Sequence, residues 1–250
     1  MTINIFKIRK IGIILTGIFA YNTIDTSTIL VDKSNNMIEI NSVNNLVNDR
    51  NLLILPEDRT KEIKEIREKE LIFLKNLNIG YELAFDNISP RYDSTINKLN
   101  SKKIYPMEFL KETGMNPANY DLLNYCYMNN IKINSVSVNE YDLNFIKSNG
   151  ITKEIRSKYK NINFNSEKYN VPNKYKSFYF LEDNIVSKLN KLNKFKKRII
   201  LFVDMNHFVG ERDKNNFFKE LNKYNYMIFI PSDELFGDYK IVILDKINFL

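Results

Sequence analysis

The stretch Asn51–Leu77, NLLILPEDRTKEIKEIREKELIFLKNL, decides the fold class. Its opening, Asn51–Leu55 (NLLIL), is an apolar run ended by Pro56, short enough to read as a buried strand. Glu57, Asp58 and Arg59 follow directly. Thr60 then offers a helix cap, with Glu62 in the first turn. Ile63, Ile66, Phe73, Leu74 and Leu77 recur at helical spacing, which predicts an amphipathic helix to about Leu77. A buried strand feeding such a helix is half of a βαβ unit.

The same alternation runs through the chain. Ile79–Phe85 (IGYELAF), Ile131–Asn139 (IKINSVSVN) and Ile199–Met205 (IILFVDM) read as further strands. Helices are expected from Pro90 to Asn100, Pro106 to Thr113, Pro117 to Asn129 and near Glu211–Tyr224. Met227–Pro231 and Tyr239–Ile247 supply two late strands. Ile29–Val31 and Met37–Ile40, with a turn at Asp32–Asn36, predict a small N-terminal hairpin. Ile155–Lys176, dense in Asn, Lys and Tyr, reads as a long loop or a small helical insertion. The expectation is a three-layer α/β/α fold with a mostly parallel central sheet, forming a single domain over residues 25–250.

Composition narrows the function classes. The 250 residues carry 37 Lys+Arg against 30 Asp+Glu, a net charge of +7, and 44% are hydrophobic, so the chain is globular rather than disordered. Its 37 Asn and 3 Ala read as codon bias, so Asn and Lys richness alone is discounted. One cysteine, Cys126, excludes an intrachain disulfide, and one histidine, His207, excludes a multi-His zinc site. Lys7, Arg9 and Lys10 precede the apolar run Ile11–Ala20. Residues 1–24 therefore read as a signal peptide or N-terminal anchor, with membrane association through that end and a location in the periplasm or cell envelope. Removing the leader lowers the charge to +4, which does not call for nucleic acid.

In open α/β sheets ligands bind at the carboxyl ends of the strands. Glu57, Arg59, Glu82, Asn139, Asp204 and His207 fall at or near predicted strand ends and form the candidate crevice. Glu82 is the most anomalous, since a carboxylate within an apolar strand needs a partner, and an ion pair with Arg59 is the plain structural account. Glu57 before a helix also suits the helix dipole, and Asn139 suits a turn. Glu57, Glu82 and His207 are the residues a hydrolase would use. The cationic Arg59 works against a divalent metal, and no metal site is assigned. Cys126, in the apolar run NYCYM, reads as inert core.

These segments in this order resemble the ChaN-like haem-binding proteins, within a wider group that includes TIKI/TraB and erythromycin-esterase-like proteins. ILVDKSNNMIEI is similar to that family's opening hairpin, and Pro56-Glu57-Asp58-Arg59 stands where it has G-E-x-H. Glu82 in YELAF matches an inward glutamate, NYDLLNYCYMNN a tyrosine-bearing helix, SVSVN a strand ending in Asn139, and IKSNGI a glycine segment. Glu182 and Asp183 in FLEDNIVSKL match an acidic pair opening a helix, and Asp204-Met205-Asn206-His207 stands at G-x-G-H. The resemblance implies haem held through a tyrosinate oxygen, in some members as two haems in a homodimer, and a role in iron uptake. Tyr159, Tyr169, Tyr175 and Tyr179, in and beside the insertion, become candidate haem ligands. Pro56 and Arg59 replace the glycine and histidine of G-E-x-H, which favours binding over catalysis.

Overall fold

The computed structural model describes residues 29–31, 37–39, 50–57, 59, 62–77, 80–193, 197–204, 207, 216–221, 224, 226–231, 240–244 and 247–249. The expected leader, the Asp32–Asn36 turn, Asp58 and Thr60 lie outside them. The strands are β1 (Ile29–Val31), β2 (Met37–Glu39), β3 (Leu52–Glu57), β4 (Glu82–Phe85), β5 (Ile133–Ser135), β6 (Ile199–Asp204), β7 (Tyr226–Pro231), β8 (Lys240–Leu244) and β9 (Ile247–Phe249). The α-helices are α1 (Ile63–Asn76), α2 (Asp93–Asn100), α3 (Pro106–Thr113), α4 (Tyr120–Met128), α5 (Glu140–Asn149), α6 (Lys153–Lys158), α7 (Asn173–Asn193) and α8 (Asn216–Leu221).

A seven-stranded sheet has the order β2-β8-β7-β3-β6-β4-β5. Its five strands from β7 to β5 are parallel, as the strand–helix alternation predicts, and β8 and β2 add antiparallel at one edge. The N-terminal hairpin is corrected in its pairing. β1 pairs with β9, and β2 pairs with β8, so each N-terminal strand takes its partner from the far end of the chain.

Alternation along the central strands separates two cores. Leu53, Leu55, Leu83, Phe85, Ile200 and Phe202 face a layer built by α1 to α4, through Phe73, Leu74, Leu99, Phe109 and Leu122. Leu52, Ile54, Ala84, Ile199, Leu201 and Val203 face α7 and α8, through Ile185, Leu189, Phe217 and Leu221. The three-layer α/β/α architecture stands. A third cluster lies beside them, where Ile146, Ile155, Ile162, Phe164 and Tyr169 collect around Phe180 of α7. The Asn-rich stretch is therefore a folded insertion, with α6, a 3-10 turn at Glu167–Tyr169 and the start of α7.

Candidate functional site

Parallel strands bring their carboxyl ends to one edge of the sheet. β3 and β6 run in register from Leu52 opposite Ile199, so their last residues, Glu57 and Asp204, stand opposite each other. β4 flanks β6 on the other side with Phe85 opposite Phe202, and Asp86 follows at once. The Asp86 backbone N–H donates to the Phe202 carbonyl at 3.2 Å, and its Oδ2 accepts the Asp204 N–H at 3.0 Å. Three adjacent strands thus deliver three carboxylates to one place. Asp86 is absent from the sequence-based set, because an acid just past an apolar run reads as an ordinary turn residue. The available signal was its likeness to Glu57, which also exits an apolar run.

Two arginines hold Glu57. Arg59 donates to Glu57 Oε2 from Nε at 3.0 Å and from Nη2 at 2.9 Å, and Arg67 of α1 donates to Oε1 at 2.5 Å. Arg59 also binds Asp86 and reaches Asp204 Oδ2 at 3.5 Å, so its guanidinium fills the space among all three carboxylates. Arg67 also binds Glu70 and donates to Asn119 Oδ1 at 2.6 Å. Burial works against the charge on either arginine, but the carboxylates around them outweigh it and push both guanidinium groups upward. Glu70 is pushed upward chiefly by burial, against the pull of Arg67.

His207, in the turn after β6, is 7% exposed and lies between the rings of Phe178 and Phe217, with centroids 4.7 and 5.4 Å away. Its Nδ1 lies 3.3 Å from Glu182 Oε1 of α7, and its Nε2 lies 3.6 Å from Asp86 Oδ2. Burial alone would lower its pKa. The two carboxylates reverse that and push it up to about 9. The Asp86 carboxyl is held below its usual value: burial opposes this, and His207 and Arg59 prevail. His207 is therefore an imidazolium at neutral pH and bridges the sheet edge to the α7 layer.

The structure brings Glu57, Arg59 and Asp204 together and joins His207 to them through Asp86, whereas two other crevice residues lie elsewhere. Glu82 opens β4, opposite Ile199 at the start of β6, and so sits at the amino edge of the sheet. It pairs with Lys197 at 2.5 Å and accepts from Asn134 Nδ2 at 3.2 Å, replacing the expected pair with Arg59. Asn139 lies beyond the short β5 and caps α5, accepting the Tyr141 N–H at 2.9 Å. Glu182 and Asp183 lie inside α7 rather than at its start. Glu182 joins the site through His207.

Three of the four tyrosines, Tyr159, Tyr169 and Tyr179, belong to the third cluster, and Tyr175 lies outside it. Tyr159 donates to Asp142 Oδ2 at 2.6 Å and Tyr169 to Asp183 Oδ2 at 2.8 Å. Burial, then these carboxylates, push both phenols above their ordinary value, which opposes the tyrosinate that a ferric haem requires. Tyr179 is buried within the cluster. Tyr175 stands 46% exposed near the start of α7, with the Lys174 ammonium 5.9 Å from its ring centroid. A nearby cleft of about 470 Å³ is lined mostly by polar groups, among them Asn161, Asn163, Ser166, Lys168, Asp183 and Glu220. Ile162 and Val186 are its apolar walls, too few for a porphyrin face. Among the described residues no group of three or more His, Cys, Asp or Glu is disposed to hold a metal ion.

No protein-family model matches the sequence, and no curated protein matches it. The fold is similar to that of ChaN of Campylobacter jejuni, solved with cofacial haem binding, at a TM-score of 0.60 and 12% identity. That likeness covers 88% of this chain and 96% of ChaN. It is also similar to part of the C-terminal region of Pasteurella multocida toxin, a structure described by a thiol-protease-like catalytic triad, at a TM-score of 0.51 and 15% identity. There the likeness covers 83% of this chain and 26% of the other. At these identities the shared property is the fold, and the chain has a ChaN-like fold.

Proposed function

We propose that this protein binds and hands on haem in iron uptake, from an exported position in the periplasm or cell envelope, without turning over a substrate. The observation that carries the proposal is the extent of the likeness to haem-binding ChaN, which takes in 96% of that chain rather than one motif. Bound haem would supply a ferric centre for an anionic oxygen ligand. Tyr175 is the candidate for that ligand, since its phenol is exposed, whereas Tyr159 and Tyr169 are spent on carboxylates. Lys174 and Lys176 flank it and suit the propionates.

The alternative, a diverged hydrolase using Glu57, Glu82 and His207, loses support from the geometry. Glu82 lies at the opposite edge of the sheet, and both Glu57 oxygens are taken by arginines. An imidazolium between two carboxylates has no free nitrogen with which to accept a proton near neutrality. Cys126, on the core face of α4, is 2% exposed, with its thiol pushed up to about 12 by burial, so it is no nucleophile. Hemin titration of the purified protein decides the matter. A saturable Soret shift with a tyrosinate charge-transfer band, both lost in Tyr175→Phe, is the expected result. An unchanged hemin spectrum overturns the haem reading, and a shift that survives Tyr175→Phe overturns the ligand assignment.

A further inference from the structure

The excess positive charge of the chain falls in two stretches; in one of them, residues 184–203 with six Lys or Arg and no acid, Lys188 and Lys197 are engaged by the Ser135 and Ser137 carbonyls and by Glu82. Residues 147–176 hold eight Lys or Arg against two Glu, leaving 29 basic and 28 acidic residues in the other 220. The segment folds on its own hydrophobic cluster, so its charges share one corner of the molecule. The end of α5 meets the start of α7 there, since a Cβ on Gly150 would stand 2.9 Å from Asn173 Oδ1. The insertion closes on the same cluster through the Tyr159–Phe180 and Phe164–Phe180 ring contacts, at 4.7 and 6.1 Å.

Part of this charge is used internally. Lys158 pairs with Asp142, Lys168 with Asp183, and Arg156 donates to Asn165 beneath the Phe164 ring. Lys147, Lys153 and Lys160 are exposed and have no carboxylate partner among the described residues. We infer that this corner is a docking surface for an anionic lipid bilayer. Seven of the eight cations are lysines, point charges suited to a diffuse anionic surface, and the single arginine is already engaged. Single-stranded nucleic acid would need aromatic platforms, but Phe164, Tyr169, Tyr179 and Phe180 are buried. Among the described residues no helix is long and apolar enough to cross a membrane.

Sedimentation with vesicles tests the inference, using the full chain and a Lys147→Gln/Lys153→Gln/Lys160→Gln variant. The protein is expected to pellet with phosphatidylcholine vesicles holding about 30 mol% phosphatidylglycerol at about 0.1 M salt, and to be released near 0.5 M. Each lysine near an anionic surface is worth about fivefold in binding, so the triple variant is expected to lose about a hundredfold. Residues 1–20 are common to both proteins, so the difference between them reports the corner alone. Equal pelleting of the two proteins, or no preference for the anionic vesicles, overturns the inference. Tighter binding to a single-stranded oligonucleotide than to these vesicles overturns it in favour of nucleic acid. The variant keeps Tyr175, Lys174 and Lys176, so its hemin titration is expected to match that of the parent, and the two proposals fail separately.

Discussion

His207 faces a carboxylate from each ring nitrogen, one at the end of β4 and one on α7, and is buried between two phenylalanine rings. Its pKa is raised from 6.5 to about 9 on folding, so its contribution to stability is complete below pH 6.5 and is lost as pH rises toward 9. That gap corresponds to on the order of 3 kcal/mol. Thermal melting across pH 6–10 is expected to show a falling midpoint. In His207→Asn the midpoint should start lower and stay flatter, and parallel curves would refute the bridge. The histidine's position at a strand end was legible in the sequence. Its partner Glu182 was not, because 25 residues and most of a helix separate them, and only the packing of α7 on the sheet brings them together.

At the scale of elements, the end of the strand on which a carboxylate falls decides its surroundings. Glu57 leaves β3 at the carboxyl edge, where two arginines converge, and Glu82 enters β4 at the amino edge beside Lys197. Glu57→Gln keeps Glu70 on Arg67 and Asp86 on Arg59 but removes the buried carboxylate that joins the two arginines, a loss of charged hydrogen bonds expected to cost about 2–3 kcal/mol in urea denaturation. Glu82→Gln breaks a pair whose lysine is 37% exposed, with an expected cost of about 1 kcal/mol or less. Equal losses would contradict this placement. The strands were legible from apolar runs and α1 from its period. The sequence run IGYELAF does not show where β4 begins: the strand covers Glu82–Phe85, which makes Glu82 its first residue rather than an interior one. Likewise β5 stops at Ser135, and Asn139 is released to cap α5.

For the whole molecule, cohesion comes from two cores on opposite faces of the sheet and a third under the insertion. Cys126 lies in the first, 2% exposed, so it should resist a thiol reagent in the native protein and react with one equivalent once denaturant opens the core. Rapid native labelling would show that α4 is not docked on the sheet as described. The sequence by itself determined the α/β class, the parallel centre of the sheet and the three layers, because apolar period and strand–helix alternation are local properties. It also placed Glu57, Arg59, Asp204 and His207 at strand exits. The tertiary structure alone decided the pairing of the N-terminal strands with C-terminal ones, the entry of Asp86, Arg67, Glu70 and Glu182 into the site, and the departure of Glu82 and Asn139. Register and layer packing join residues far apart in the chain, and no local pattern encodes which of them will meet.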